Sequence, residues 1–198
     1  MSSVYTFTPH PCIDKIVSVP VLKPDKKLYC AVDAQHPGGG GINVARVIRR
    51  LGLHSTALFP AGGSTGILLQ RLLEEEKVAT EVVQANNPTR ENIILTETAT
   101  QRQYRLGMPG GNMTMKEWDD CIMAIRKVQD LQYLVVSGSF PGDEPPDIFQ
   151  QLAAIAAEKN ARLVVDSSGK SLKAAIDAGV YLIKPNLSEL AALCGKKE

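Results

Sequence analysis

The sequence has few aromatic side chains and almost no net charge. Aromatic residues make up 5% of its 198 residues, and 22 basic against 21 acidic residues leave a formal net charge of +1. Proteins that bind single-stranded nucleic acid stack bases on aromatic rings, and nonspecific binding to nucleic acid or membranes needs a basic surface. We therefore expect no nucleic-acid partner and no membrane partner.

Long apolar runs, paired cysteines and paired histidines are also absent. No apolar stretch approaches the ~20 residues of a membrane-spanning helix, and the opening residues, MSSVYTFTPHP, lack the basic and apolar regions of a secretion signal. Cys12, Cys30, Cys121 and Cys194 form no CxxC pair, and the three histidines form no HxxxH pair. We expect reduced thiols, a cytoplasmic location, and neither a zinc site nor a histidine-dependent triad.

The remaining composition, 44% hydrophobic, suits a folded core, and the chain repeats a strand, loop and helix rhythm. Segments that read as a strand, most of them running into a turn, are 4–8, 55–63, 133–139, 161–169 and 180–186. Helical spacing covers 42–53 and 66–78, and Pro145 and Pro146 are predicted in the first turn of a further helix. The last three apolar runs predict strands buried on both faces, hence an α/β fold with a parallel sheet between helices.

Polar and small residues follow these last three runs. Their carboxyl ends read SGSFPGD, DSSG and KPNLSE. Ligands of parallel sheets bind at the carboxyl ends of strands. Each segment suits a binding site, although ordinary turns and helix caps have the same composition.

Two stretches lack the helix that a strand–helix unit requires. Residues 15–34 and 90–106 are rich in β-branched side chains, and the second reads as a hairpin around 98–101. We expect them to form a small separate β-sheet that serves as a lid, a dimer interface or both. The alternative is an edge extension of the main sheet.

The strongest local motif is HPGGGGINVARVIRRLG at 36–52, in which four glycines run directly into a predicted helix. Glycine lets a ligand approach the backbone closely, and a helix start offers free N–H groups. The sequence also contains near-matches to two common nucleotide-binding signatures, and both fail. A P-loop ending at 169–171 would need Gly at 164, where the chain has Val, and a dinucleotide fingerprint would need Gly at 43, where it has Asn.

Together with four other segments, this motif resembles the signatures of the ribokinase/PfkB family of sugar kinases. The other segments are PCIDKIVSV, VVSGSFPGD, VVDSSG and KPNLSEL, in the family's order. The resemblance implies a three-layer α/β/α sandwich with a mainly parallel sheet and a β-sheet lid. The four glycines favour the minor bacterial 6-phosphofructokinase branch, since relatives acting on fructose 1-phosphate or tagatose phosphates usually have Lys at position 40. That branch transfers the γ-phosphate of ATP to O1 of fructose 6-phosphate.

The resemblance also implies roles for individual residues. Sugar hydroxyls would be bound by Asp14, Gly39, Gly40 and Asn43. The sugar phosphate would be bound by Arg90 and Arg105, with Lys27 and Ser139 as further candidates. Lys184 and Asn186 would approach the phosphates of ATP, and Glu189 would organise Mg²⁺ through water. The lid strands are expected to pair between two subunits of a homodimer.

The family's Gly-Ala-Gly-Asp segment, which supplies the anion hole and the catalytic base, does not occur in the sequence. We therefore expect residues 1–198 to be a single, C-terminally truncated domain with little or no kinase activity alone. Two alternatives remain: a kinase for another ketose phosphate, such as a 1-phosphofructokinase or tagatose-6-phosphate kinase, and a noncatalytic protein that binds sugar phosphates.

Overall fold

A computed structural model describes residues 4–196 of the chain. Its strands are β1 (Val4–Phe7), β2 (Cys12–Val19), β3 (Ala31–Gly38), β4 (Thr56–Ala61), β5 (Ala79–Gln84), β6 (Arg90–Glu97), β7 (Arg102–Leu106), β8 (Tyr133–Ser137), β9 (Arg162–Asp166) and β10 (Leu182–Ile183). Its helices are α1 (Gly40–Arg50), α2 (Gly63–Glu75), α3 (Met115–Lys127), α4 (Ile148–Glu158), α5 (Gly169–Asp177) and α6 (Leu187–Leu193). None of these helices is both long and apolar enough to cross a membrane.

The main sheet has six strands in the order β10-β9-β8-β1-β4-β5, and all of its pairs are parallel. Successive side chains of a strand point to opposite faces, and β4 shows the result. Phe59 packs with Ile42 of α1 and Leu69 of α2, whereas Leu58 packs on the other side with Trp118 of α3. The predicted three-layer sandwich is confirmed.

The strand order reverses at β1. The chain leaves β1 towards β4 and β5 and then returns to place β8 on the other side of β1. At such a switch point the connections diverge, which leaves a crevice at the carboxyl ends of the two strands. In this chain the crevice lies at residues 8–10 and 137–139.

A second sheet has four strands in the order β3-β2-β6-β7. β2 pairs with β6 in parallel, while β2–β3 and β6–β7 are antiparallel. The separate lid sheet is therefore confirmed, and the alternative of an extension of the main sheet is wrong. Strands β2 and β3 extend beyond the predicted bounds of 15–34, since β2 begins at Cys12 and β3 continues to Gly38.

Two local predictions are wrong. The run 180–186 does not form a strand buried on both faces, because only Leu182 and Ile183 pair with β9, and Leu182 is 46% exposed at the sheet edge. Pro145 and Pro146 do not lie in the first turn of α4, which begins at Ile148. Instead, the N–H of Ile148 donates to the carbonyl of Pro145 at 3.0 Å in a preceding turn.

The start of α3 is held by a reciprocal cap. Thr114 accepts a hydrogen bond from the N–H of Glu117 at 3.2 Å, and the Glu117 carboxylate accepts from the N–H of Thr114 at 2.6 Å. Glu117 is buried, and its other oxygen accepts from the N–H of Asn86 at 2.6 Å. The cap thus ties α3 to the loop after β5.

Replacing Thr114 with Ala is expected to lower the free energy of unfolding by about 1 kcal/mol, because one N–H of the helix start loses its acceptor. Urea unfolding followed by circular dichroism would measure the loss. Thr114→Ser keeps the hydroxyl and serves as the control. Equal losses in the two variants would contradict the capping explanation.

Candidate active site

A cleft of about 300 Å³ lies where the carboxyl ends of β1 and β8 meet the lid sheet. All of the predicted sugar-side residues except Lys27 line it, namely Asp14, Gly39, Gly40, Asn43, Arg90, Arg105 and Ser139. These residues come from the lid sheet, from the loop after β8 and from the start of α1. Segments distant in sequence thus converge on one small polar cavity.

The start of α1 packs tightly against the end of β8. A Cβ atom at Gly40 would lie 2.2 Å from Oγ and 2.6 Å from the carbonyl carbon of Ser137, so no larger residue fits without a backbone shift. Gly39 has a φ of 118°, which L side chains rarely adopt. The N–H of Ile42 donates to Oγ1 of Thr8 at 2.8 Å. The glycine run therefore brings the positive end of the α1 dipole to the cleft.

The Arg90 side chain is oriented by three acceptors before any ligand arrives. Its Nη2 donates to Oγ of Ser139 at 3.2 Å and to the carbonyl of His10 at 3.3 Å, and its Nη1 donates to the carbonyl of Met108 at 3.4 Å. Arg90 is partly buried, whereas Arg105, on β7, is exposed. The cleft thus holds one fixed and one exposed guanidinium, groups suited to a phosphate dianion.

Asp14 is flanked by two residues that the sequence reasoning missed. Nδ2 of Asn92 donates to Oδ1 of Asp14 at 3.0 Å, and the Cys12 thiol donates to the same oxygen at 3.5 Å. Burial, followed by the charge of Asp14, raises the pKa of the Cys12 thiol to about 12. Cys12 and Asn92 lie two residues from Asp14 and Arg90 on their strands, so the alternation of side chains offered a signal for both.

His10 also lines the cleft and was not predicted there. Burial, followed by the neighbouring Arg90 charge, lowers the pKa of His10 to about 4. The imidazole is therefore uncharged at neutral pH. The positive charge of the cleft comes from its two arginines.

The cysteines should differ sharply in reactivity. Cys12 and Cys121 are buried, and burial raises the pKa of both thiols, whereas Cys30 and Cys194 are exposed. Because the thiolate is the reactive form, iodoacetamide at pH 8 is expected to label Cys30 and Cys194 first. Peptide mapping would follow each site, with a guanidinium-unfolded sample as the control in which all four react. Labelling of Cys12 as fast as Cys30 would contradict this reading of the cleft.

Lys27 is not among the residues that line the cleft. It lies in the loop between β2 and β3, and its Nζ is 5.0 Å from the centre of the Tyr29 ring, which is 77% exposed. Within this single chain, the structure does not bring Lys27 to the other predicted residues.

The nucleotide-side candidates form a second group at the same edge of the main sheet. Nζ of Lys184 lies 3.2 Å from Oδ1 of Asp166, and Oδ2 of Asp166 accepts from Oγ of Ser137 at 3.3 Å. Asp166, to which the sequence reasoning gave no role, thus links Lys184 to the strand end that contacts Gly40. Asn186 and Glu189 form a reciprocal cap at the start of α6, with both hydrogen bonds at 2.8 Å.

Residues 4–196 contain no group of three or more His, Cys, Asp or Glu side chains that could hold a metal directly. Mg²⁺ needs no such group, since it keeps several waters and is usually held by one or two carboxylates and substrate phosphates. Glu189 is partly buried, and one carboxylate oxygen accepts from the N–H of Asn186. Its chemistry fits contact with Mg²⁺ through water.

Comparisons with known proteins agree on one family. The model of the pfkB family carbohydrate kinases matches residues 10–198. The ATP-dependent 6-phosphofructokinase isozyme 2 of Escherichia coli is 39% identical over 198 residues, which is 100% of this chain and 64% of the relative. The D-tagatose-1-phosphate kinase of Bacillus licheniformis is 33% identical over 195 residues, 98% of this chain and 63% of the relative.

Solved structures give the same result. The crystal structure of phosphofructokinase-2 from Escherichia coli in complex with fructose-6-phosphate superposes with a TM-score of 0.94 at 39% identity. The match covers 100% of this chain and 65% of that chain. This chain therefore spans less than two thirds of the length of the relatives that it matches.

Proposed function

Because the chain belongs to the pfkB family of carbohydrate kinases, we propose that it supplies the sugar-phosphate site of a 6-phosphofructokinase. The reaction is transfer of the γ-phosphate of ATP to O1 of fructose 6-phosphate, giving fructose 1,6-bisphosphate. The observation that carries the proposal is the convergence of a carboxylate, Asp14, and two guanidiniums, Arg90 and Arg105, on one cleft. A ketose phosphate offers the matching groups, hydroxyls and a dianion.

The chemistry of the cleft supports a division of labour. An ionised carboxylate such as that of Asp14 is a hydrogen-bond acceptor only, whereas the Asn43 amide can both donate and accept. The two side chains therefore suit sugar hydroxyls. Arg90, already oriented, brings a fixed positive charge and N–H donors to the phosphate, with Arg105 and Ser139 beside it. Phosphoryl transfer depends mainly on such positioning and on charge stabilisation.

The nucleotide part of the proposal assigns Lys184 and Asn186 to the phosphates of ATP. When bound, Mg²⁺ would neutralise charge on those phosphates, with Glu189 as its contact through water. Lys184 is 70% exposed in its pair with Asp166, and an exposed pair is weak enough to open for a phosphate. The base that takes the hydroxyl proton is left unassigned, since the sequence contains no Gly-Ala-Gly-Asp segment.

We also propose that the lid sheet pairs with the lid of a second subunit. The exposed apolar side chains of this sheet are Val32, Tyr104 and Leu106, and Val21 and Tyr29 are exposed in the loop between β2 and β3. Exposed apolar groups on an open sheet favour burial against a partner. Lys27 lies in the same lid, so pairing would bring a lysine near a neighbouring cleft. Sedimentation that finds only monomer would count against this assembly.

A coupled assay on the full natural chain tests the function. With ATP and Mg²⁺, fructose 6-phosphate is expected to give a higher kcat/KM than fructose 1-phosphate or tagatose 6-phosphate. Phosphorus NMR of the product should show phosphates on both C1 and C6. Turnover of another ketose phosphate but not of fructose 6-phosphate would overturn the substrate assignment. Tight sugar-phosphate binding with no turnover of any sugar would instead identify a noncatalytic binding protein.

A further inference from the structure

Asn92 connects the two side chains that are proposed to contact the ligand, Asp14 and Arg90. It lies beside Asp14 in the parallel pairing of β2 and β6. Its Nδ2 donates to Oδ1 of Asp14 at 3.0 Å and lies 3.2 Å from Sγ of Cys12, and its Oδ1 accepts from the N–H of Met108 at 3.3 Å. The amide can satisfy the carboxylate and the backbone N–H only in this orientation.

The Asp14 carboxylate is confined from two sides. Oδ1 accepts from Asn92 and Cys12, while Oδ2 lies so close to Gly38 that a Cβ there would be 2.6 Å away. An acceptor held this way does not have to be ordered when a ligand binds, which favours tight and specific binding. The side chain that fixes it through a conventional hydrogen bond is Asn92.

The peptide groups of Met108 extend the connection to the phosphate side. The N–H of Met108 donates to Asn92, and its carbonyl accepts from Nη1 of Arg90 at 3.4 Å. A single residue after the lid hairpin therefore contacts both Asn92, which holds Asp14, and Arg90. Movement of this segment would disturb the carboxylate and the guanidinium together.

We propose that Asn92 is a positioning residue that orients Asp14 towards the sugar hydroxyls and couples it, through Met108, to Arg90. The inference rests on the proposed sugar-phosphate site and deepens it. Asn92 need not touch the ligand's reacting atoms, since its effect is exerted through Asp14. Its loss should weaken sugar-phosphate binding and leave ATP binding unchanged.

The first test is Asn92→Ala in the full natural chain, with fructose 6-phosphate titrated by calorimetry. Loss of one hydrogen bond to a charged acceptor is expected to weaken binding about tenfold to 50-fold. The KM for ATP should stay within about twofold, as expected for a group that contacts only the sugar side. The matched control is Asn87→Ala. Asn87 donates to the carbonyl of Asn112 at 2.7 Å, in the segment after β7 that also contains Met108, and does not contact Asp14.

The second test is the pH dependence of binding by Asn92→Asp, which a merely structural role of Asn92 would not produce. Two adjacent carboxylates raise the pKa of one of them, so at pH 5.5 a protonated Asp side chain can still donate to Asp14. At pH 8 both are ionised and repel each other and the phosphate. The ratio of the variant's Kd to that of the unchanged chain should therefore rise from pH 5.5 to pH 8.

The outcomes separate this inference from the proposed function. If the unchanged chain does not bind fructose 6-phosphate, both the proposed function and the positioning role of Asn92 are wrong. If it binds and Asn92→Ala binds equally well, the positioning role alone is wrong. A loss in Asn87→Ala equal to that in Asn92→Ala, or a pH-independent ratio for Asn92→Asp, would also overturn it. Thermal unfolding of each variant confirms that the protein titrated is folded.

Discussion

Replacing Asp14 with Asn is expected to weaken fructose 6-phosphate binding about 100- to 1,000-fold. The carboxylate would accept from two sugar hydroxyls, and hydrogen bonds to a charged acceptor contribute about 1.5–3 kcal/mol each. Asn has nearly the same shape, and its amide oxygen can still accept from Nδ2 of Asn92. Its NH₂ group would then replace the ligand-facing acceptor with a donor.

Calorimetry with fructose 6-phosphate and kcat/KM from a coupled assay would measure this loss in the full natural chain. Asp120→Asn is a matched control, because Asp120 lies on α3 and accepts from Nζ of Lys116 at 2.5 Å, away from the lid sheet and from the residues that line the cleft. We expect the control to stay within about twofold, since an exposed hydrogen bond of this kind contributes little. Unchanged titration of Asp14→Asn would remove Asp14 from the proposed site.

The regular part of the fold could be predicted from local pattern, and its edges could not. The apolar run 180–186 has the composition of a central strand, but only Leu182 and Ile183 pair, because the strand lies at the sheet edge. The hydrophobicity of a segment indicates how apolar it is, but not how many neighbouring strands it pairs with. Helix α3 was not predicted, although Thr114 and Glu117 have the spacing of a capping box.

The site divides in a similar way. Residues within the family motifs, such as Asp14 and Arg90, were predicted and do line one cleft. Alternation along β6 placed Asn92 on the same side as Arg90, but its contact with Asp14 depends on the pairing of β2 with β6 across 78 residues, which the pattern of one strand does not reveal. Lys27 was grouped with the phosphate ligands by resemblance alone, and within one chain it lies outside the cleft.

The phosphate assignment makes a second large prediction, that Arg90→Lys weakens fructose 6-phosphate binding about 100-fold although the positive charge is kept. A planar guanidinium has five N–H donors, so it can contact its three acceptors and still donate to a phosphate, whereas an ammonium group acts as a point charge with three donors. Lysine would also leave the carbonyls of His10 and Met108 without the donors they have at 3.3 and 3.4 Å. These carbonyls would then repel the dianion.

The comparison that tests this assignment is Arg105→Lys, for which we expect a loss of about tenfold or less, because Arg105 is exposed and lysine keeps its positive charge. Titrations of both variants with fructose 6-phosphate, repeated with inorganic phosphate as competitor, would rank the two arginines. A larger loss in Arg105→Lys than in Arg90→Lys would move the phosphate from the switch-point crevice to the lid hairpin.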